Sequence, residues 1–144
     1  MSQIYSIQPA QLSAVRAVLL SVDLPTDDIS ESAPIQFWVR EDAGDIAGVV
    51  GLERAGRSAL LRSLAVLPSH RDRRIGRDLV IHAEEAARRA GFREMSLLTT
   101  SAQGYFQSLG YKTVERTELA AEIRQTAQFK SLCPASAICM TKAL

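Results

Sequence analysis

The run Leu64-Ala65-Val66-Leu67-Pro68-Ser69-His70-Arg71-Asp72-Arg73-Arg74-Ile75-Gly76-Arg77-Asp78-Leu79 decides the fold. Upstream, Ala59-Leu60-Leu61-Arg62-Ser63-Leu64-Ala65-Val66 reads as a largely buried central strand whose single charge is Arg62. Pro68 ends it, because proline cannot donate to a ladder. Downstream, Ile75, Leu79, Val80, Ala83, Ala86, Ala87 and Ala90 share one helical face, while Arg77, Asp78, Glu84, Glu85, Arg88 and Arg89 favour the other. Gly91 fits the position just past the helix end. The helix starts with unpaired N–H groups, and its dipole favours an anion there. Gly76 would let a phosphate approach the backbone, and Arg71, Arg73, Arg74 and Arg77, all within seven positions, add charge. A pyrophosphate could be held there mainly by main-chain donors. The same run also reads as a solvated basic helix cap whose arginines pair with Asp72, Asp78 or Glu84. No G-x-x-x-x-G-K-[ST] or G-x-G-x-x-G motif exists, which counts against nucleotide hydrolysis and dinucleotide binding.

Outward from this unit, Ile4–Ile7 reads as a first strand, and Pro9 can start a helix running through Leu12, Val15, Val18 and Leu19. Pro25 to Ser32 is polar and turn-rich, as segments covering a binding site often are. Ile35–Arg40 and Ile46–Leu52, joined by Ala43-Gly44-Asp45, form a hairpin. Beyond Gly91 come a strand at Met95–Leu98, a short helix at Ala102–Leu109 stopped by Gly110, and a strand at Tyr111–Arg116. Ala120–Lys130 reads as a helix or helical turn, and Ser136–Lys142 as a last strand. The order predicts an α/β fold: one domain over residues 1–144 with a mixed, largely antiparallel central sheet flanked by helices.

Apolar residues make up 47% of the 144, enough for a core without metal or disulfide staples. A net charge of +1 gives no general attraction to nucleic acid or to an anionic membrane. Met1–Pro9 has neither the basic nor the apolar region of a secretory leader, so the expectation is a cytoplasmic protein with Cys133 and Cys139 reduced.

With these residues in place the chain resembles the GNAT superfamily of acyl-CoA-dependent N-acetyltransferases. The family's pyrophosphate loop, Arg/Gln-x-x-Gly-x-Gly/Ala, falls on Arg71-x-x-Arg74-x-Gly76, with Arg74 where glycine is usual. Arg74 would then need a tolerant backbone angle. Ala102-Gln103-Gly104-Tyr105-Phe106-Gln107-Ser108-Leu109-Gly110-Tyr111 is similar to the stretch that lies along the pantetheine arm. The Leu98-Thr99-Thr100 run, with Tyr105-Phe106 and Leu109-Gly110-Tyr111, is like the acetyltransferase domain of N-acetylglutamate synthases. The tail Leu132-Cys133-Pro134-Ala135-Ser136-Ala137, with Leu60–Val66, looks most like small arsenic-resistance-associated members, the ArsN group.

The resemblance implies acetyl-CoA as cosubstrate and direct attack by the amine of a small, amino-acid-like acceptor, including an arsenic- or phosphorus-containing amino acid. The alternatives are a non-catalytic acyl-CoA sensor and a protein lysine or N-terminal acetyltransferase. Homodimers are common among similar proteins, and no interface is legible in the sequence. Backbone groups at Leu64, Ala65 and Val66 match the pantetheine-binding strand, and Arg71, Arg73, Arg74, Ile75, Gly76 and Arg77 the pyrophosphate loop. The family's frequent catalytic tyrosine falls on Phe106, which cannot protonate a thiolate, and which is left to line the cofactor. Tyr105, about 100° away around a helix, is either the acid or a packing aromatic. Glu53 is either the base or an exposed hairpin-end carboxylate; Glu41 is a second, weaker candidate.

A buried arginine must find a partner, so Arg62 either meets an acceptor carboxylate or forms an internal salt bridge to Glu53 or Glu41. Thr99 is placed with it on the acceptor side. His70, on the exposed loop, and His82, on the solvated helix face, resemble neither a triad nor a metal site. Cys133 reads as structural or as pocket wall, and no metal site is expected.

Overall fold

In the computed structural model, which describes residues 3–71, 74–133 and 135–144, the apolar run becomes strand β4 (Ser58–Val66) at the centre of a seven-stranded sheet. Before it come β1 (Ile4–Ser6), a 3-10 turn at Pro9–Gln11, helix α1 (Leu12–Ser21), β2 (Ile35–Asp42) and β3 (Asp45–Ala55). After it come α2 (Ile75–Arg89), β5 (Glu94–Thr99), α3 (Gln103–Ser108), β6 (Lys112–Val114), α4 (Ala121–Arg124), a π-helical turn at Gln128–Leu132, and β7 (Ile138–Ala143). The strand order is β1-β2-β3-β4-β5-β7-β6. Every pairing is antiparallel except β4 with β5, the strands joined through α2. This is the expected mixed, largely antiparallel sheet.

Side chains alternate across each strand, so the sheet has two buried faces. On one face α2 sends Ile75, Leu79, Val80, Ala83 and Ala87 against Trp38, Val50, Leu52 and Leu61. On the other, α1 packs Val15 and Leu19 against Phe37, Val39 and Val49, and Ile123 of α4 meets Leu60. The β2–β3 hairpin turns on Ala43 and Gly44, both at positive φ (53° and 86°), the pair of angles a type I′ turn needs. Gly91, at φ 93°, closes α2: its N–H reaches the Arg88 carbonyl and that of Phe92 the Ala87 carbonyl, a Schellman ending.

Several expectations change. The strand expected at Tyr111–Arg116 keeps only Lys112–Val114, because the Tyr111 ring turns into the core and Arg116 opens a 3-10 turn. The segment expected as a helix or helical turn over Ala120–Lys130 forms two short helical pieces, interrupted near Thr126, whose hydroxyl donates to the Ile123 carbonyl at 2.7 Å. Glu84, placed by periodicity on the solvated face, is buried: the Tyr111 hydroxyl donates to it at 2.8 Å and Lys142 pairs with it at 3.0 Å. Burial, then the adjoining Glu84 charge, pushes the Tyr111 phenol far above its usual range, so it remains a donor. Lys142→Met would leave a buried carboxylate with one neutral donor. We expect a loss of about 2 kcal/mol in chemical denaturation, and an unchanged midpoint would contradict this bridge.

Candidate functional site

The site begins with an irregularity in β4. Val49 pairs with Ala65 but Gly51 with Arg62, so Ser63 and Leu64 together oppose Val50. Ser63 takes φ 56°, which makes this a β-bulge, and bulges re-aim the residues after them. Below the bulge β4 pairs with β5 only at Ala59–Met95 and Leu60–Ser96. Beyond that point the two strands are no longer laddered, and a cleft of about 330 Å³ lies between Leu61–Leu64 and Leu97–Thr99. Asp23, Leu24, Gln128 and Cys133 also line it. A second cavity of about 610 Å³ runs from Leu64, Ala65 and Val66 to Arg74, Ile75 and Gly76. Leu24, Leu64 and Tyr105 line both, so the cavities meet at Tyr105 between them.

The second cavity ends at the start of α2. Ile75, Gly76 and Arg77 form its first turn, the first helical bond being Asp78 N–H to the Arg74 carbonyl at 3.0 Å. Among the described residues no side chain caps this end. Three N–H groups and the positive end of the dipole therefore face the cavity. A Cβ on Gly76 would lie 2.7 Å from the Tyr105 hydroxyl, so only glycine leaves this approach open. Arg74, expected to need a tolerant backbone angle, is at φ 61°, ψ 16°, the left-handed conformation. An L side chain there costs about 1–2 kcal/mol. Arg74→Gly should raise folding stability by about 1 kcal/mol after glycine's greater unfolded-state entropy is offset, read by thermal unfolding. A destabilised variant would mean that the arginine side chain holds the turn.

Arg71 lines the larger cavity together with the start of α2. Its Nε–H donates to the Val66 carbonyl at 3.1 Å, fastening the loop to the end of β4. Arg77 is exposed on the rim of the larger cavity, whereas Arg73 lies outside the described residues. His70 departs from the exposed-loop expectation: it is half-buried, lines the larger cavity, and its Nε2 is 3.0 Å from an Asp42 oxygen. His82 also leaves the solvated face, standing half-buried and edge-on to Trp38 at 5.8 Å.

Phe106 and Tyr105 divide as their helical offset requires. Phe106 is buried edge-to-face against Tyr111 at 5.7 Å while touching the smaller cleft. Tyr105 is 41% exposed with its hydroxyl over Gly76. Burial first, and then Asp78, raises the Tyr105 phenol above its usual value while Arg77 opposes them, so it keeps its proton at neutral pH. Thr99 lines the cleft, and its hydroxyl oxygen accepts the Ala102 N–H at 3.0 Å at the start of α3.

Of the two partners open to Arg62, an acceptor carboxylate or an internal salt bridge to Glu53 or Glu41, the structure shows the bridge to Glu53. The Arg62 side chain is wholly buried, with Nη1 2.8 Å from Glu53. Its fork also takes Asp28 bidentately, Nη2 donating at 2.7 Å to one oxygen while Nη1 pairs with the other. Nε–H donates to the Ser63 hydroxyl at 3.2 Å, tying the cluster to the bulge. Burial works to lower the guanidinium, but the hydrogen bonds from Asp28 and Glu53 outweigh it and leave it raised. One expectation is corrected: Glu53, expected as the base or as an exposed hairpin-end carboxylate, is buried and lines neither cavity, and the Arg62 fork is engaged by Asp28 as well as by Glu53. Asp28 was missed. The available signal was an acidic, turn-rich segment, Asp27-Asp28, in a chain with one arginine inside an apolar strand.

Cys133 is half-buried on the cleft wall, its thiol pushed up by burial against the pull of Arg62 and Arg116. Both cysteines are free. Among the described residues no group of three potential ligands could hold a metal, and no helix is long and apolar enough to cross a membrane.

The acetyltransferase (GNAT) domain family matches residues 33–113, which include both cavity-forming strand ends and the start of α2. An uncharacterized N-acetyltransferase of Chlorobaculum tepidum is 36% identical over 81 residues, 56% of this chain and 52% of that protein. The chain thus spans about half the length of the curated relative it matches. An acetyltransferase of the GNAT family from Staphylococcus aureus Mu50 superposes with a TM-score of 0.82 at 17% identity, covering 100% of this chain and 99% of the other. N-acetylglutamate synthase from Neisseria gonorrhoeae, in complex with coenzyme A and N-acetyl-glutamate, superposes at 0.83 and 20% identity, over 100% of this chain and 35% of that one. At these identities the two structures establish likeness of fold.

Proposed function

The chain belongs to the acetyltransferase (GNAT) family, and on that footing we propose that it moves an acetyl group from acetyl-CoA to the amine of a small acceptor. The observation that carries the proposal is the meeting of two cavities at Tyr105, one leading to the N-terminus of α2, which no side chain among the described residues caps, and the other lying between parted strands. The pyrophosphate would rest on the N–H groups of Ile75, Gly76 and Arg77, with Arg74 and Arg77 supplying charge. The pantetheine arm would follow Leu64–Val66, where β4 has left its ladder with β5.

In the reaction a neutral amine nitrogen attacks the thioester carbon, the C–N bond forms, and the C–S bond breaks. The ammonium proton passes to water in the cleft, and the leaving thiolate takes a proton back from that water, because the Tyr105 hydroxyl lies over Gly76, at the pyrophosphate end of the cofactor and a pantetheine arm away from the sulfur. Most of the acceleration would come from orienting the partners and from backbone donors facing the oxyanion. Glu53 and Arg62 act through the cleft wall rather than on the amine in this reading, because Glu53 lines neither cavity.

The acceptor proposed is amino-acid-like, and analogues carrying arsenic or phosphorus are retained as candidates. Supporting this is the neighbouring synthase, bound to an acylated amino acid in a similar fold. A sensor that only binds acyl-CoA is the second reading, favoured by Phe106 at the usual tyrosine position, but the acceptor-side cleft is not filled by side chains. A cytoplasmic site of action suits the two free thiols.

The test is acetyl-CoA-dependent thiol release against amino acids, their phosphorus and arsenic analogues, polyamines and a lysine peptide. Tyr105→Phe should leave kcat within about twofold, because the hydroxyl it removes lies at the pyrophosphate end of the cofactor rather than at the sulfur. A kcat lowered by about 10-fold or more would instead place that hydroxyl at the leaving thiolate.

A further inference from the structure

Asp28 holds Arg62 with the geometry that a bound carboxylic acid would use. Both of its oxygens meet the guanidinium fork, one at 2.7 Å from Nη2, whereas Glu53 makes a single contact with Nη1. The two carboxylates are held differently. Glu53 is fixed in β3, paired across to Ile35 and Leu60. Asp28 stands in the loop between α1 and β2, outside any helix or strand, with its side chain 18% exposed. That same loop contributes Asp23, Leu24 and Pro25 to the acceptor-side cleft, and Arg62 itself lines the cleft. The next residue, Ile29, is buried in the α1 core, and its carbonyl receives Arg16. The backbone beside Asp28 is therefore anchored, while its carboxylate, partly open to solvent, is held only by its contact with Arg62 among the hydrogen bonds seen for it.

Resting on the acyl-transfer reading above, we propose that Asp28 is a specificity-determining place-holder, which the carboxylate of an amino-acid acceptor displaces from Arg62. The exchange conserves charge: one carboxylate leaves the fork as another arrives, and Arg62 stays doubly hydrogen-bonded. Glu53 keeps the guanidinium oriented throughout. An acceptor with an amine but no carboxylate cannot make this exchange. It meets Arg62 already neutralised, with Asp23 the other charged group on the wall. Closure of Arg62 by Asp28 thus acts as a tax on acceptor affinity, repaid only by an acid group.

The experiment compares matched acceptors, an amino acid and the amine lacking its carboxylate, in the wild type and in Asp28→Asn, by thiol release from acetyl-CoA. The wild type should prefer the amino acid. Asp28→Asn should lower KM for the amino acid about 10-fold, leaving kcat and the KM of the matched amine within about twofold. Asp28→Ala, which removes any residual amide hydrogen bond, should lower KM at least as far. Removing Asp28 leaves an Arg62–Glu53 pair of zero net charge, so both variants should fold. Equal KM changes for both acceptors would assign Asp28 a purely structural role and overturn the proposal. So would a wild-type preference for the amine. Failure of every acceptor to release thiol, with coenzyme A still bound, would instead remove the acyl-transfer reading on which the proposal rests.

Discussion

Replacing Arg62 by methionine is expected to cost about 3–5 kcal/mol of folding stability, the largest effect of any single substitution considered for this chain. The side chain is wholly buried and bridges carboxylates from two distant parts of the sequence, Asp28 and Glu53. Methionine fills most of the volume but leaves both carboxylates facing apolar surroundings and each other. The Ser63 hydroxyl also loses the Nε–H that donates to it. Urea denaturation measures the loss directly. The combination Arg62→Met, Asp28→Asn and Glu53→Gln should recover most of it, because uncharged groups no longer need the cation. A loss below about 1 kcal/mol for the single change would mean that water already reaches the cluster and screens it.

Gly76→Val is expected to weaken coenzyme A binding about 30–100-fold while leaving the chain folded. The expected change in affinity corresponds to the loss of close backbone approach at an anion site rather than of one surface charge. A Cβ at this position lies 2.7 Å from the Tyr105 hydroxyl and 3.6 Å from a Val66 methyl, so the new side chain enters the larger cavity at the start of α2. Helix propensity works in the opposite direction, since a side chain in α2 is preferred to glycine. Stability and affinity should therefore move independently, which calorimetric titration and thermal unfolding separate. Affinity within about threefold of wild type would put the pyrophosphate elsewhere.

How far the sequence discloses this molecule depends on the distance over which each feature is determined. The β4–α2 unit was legible because its signals are local: an apolar run, a proline stop, a 3.6-residue repeat and Gly91 at the end. The motif departure at Arg74 was legible too, and the unusual backbone angle it called for takes the left-handed form. Pairing across the chain was not. Glu84 falls on the polar side of a helical wheel, yet its partners Tyr111 and Lys142 lie 27 and 58 residues away. Arg62 announced that it needed a partner, and Glu53 was one of two named. Asp28, 34 residues upstream in a loop with no periodicity, had no local mark of its role.

The bulge at Ser63 is another such case. A serine at φ 56° inside an apolar strand looks like any other strand residue in sequence, although it decides where β4 parts from β5 and so where the cleft opens. The break near Thr126 has the same origin, a side chain competing for backbone hydrogen bonds in a segment whose composition reads as helical.

The central claim is that the start of α2 and the β4–β5 cleft form one acyl-transfer site meeting at Tyr105. Its most direct test is acceptor-dependent thiol release from acetyl-CoA by the wild type and by Gly76→Val, with acceptor varied at saturating wild-type cosubstrate. Saturable release that depends on a small amine, and collapses in Gly76→Val through a raised KM for acetyl-CoA, is the predicted result. Tight coenzyme A binding without release for any small amine, amino acid or peptide would contradict it and leave the chain a binding module.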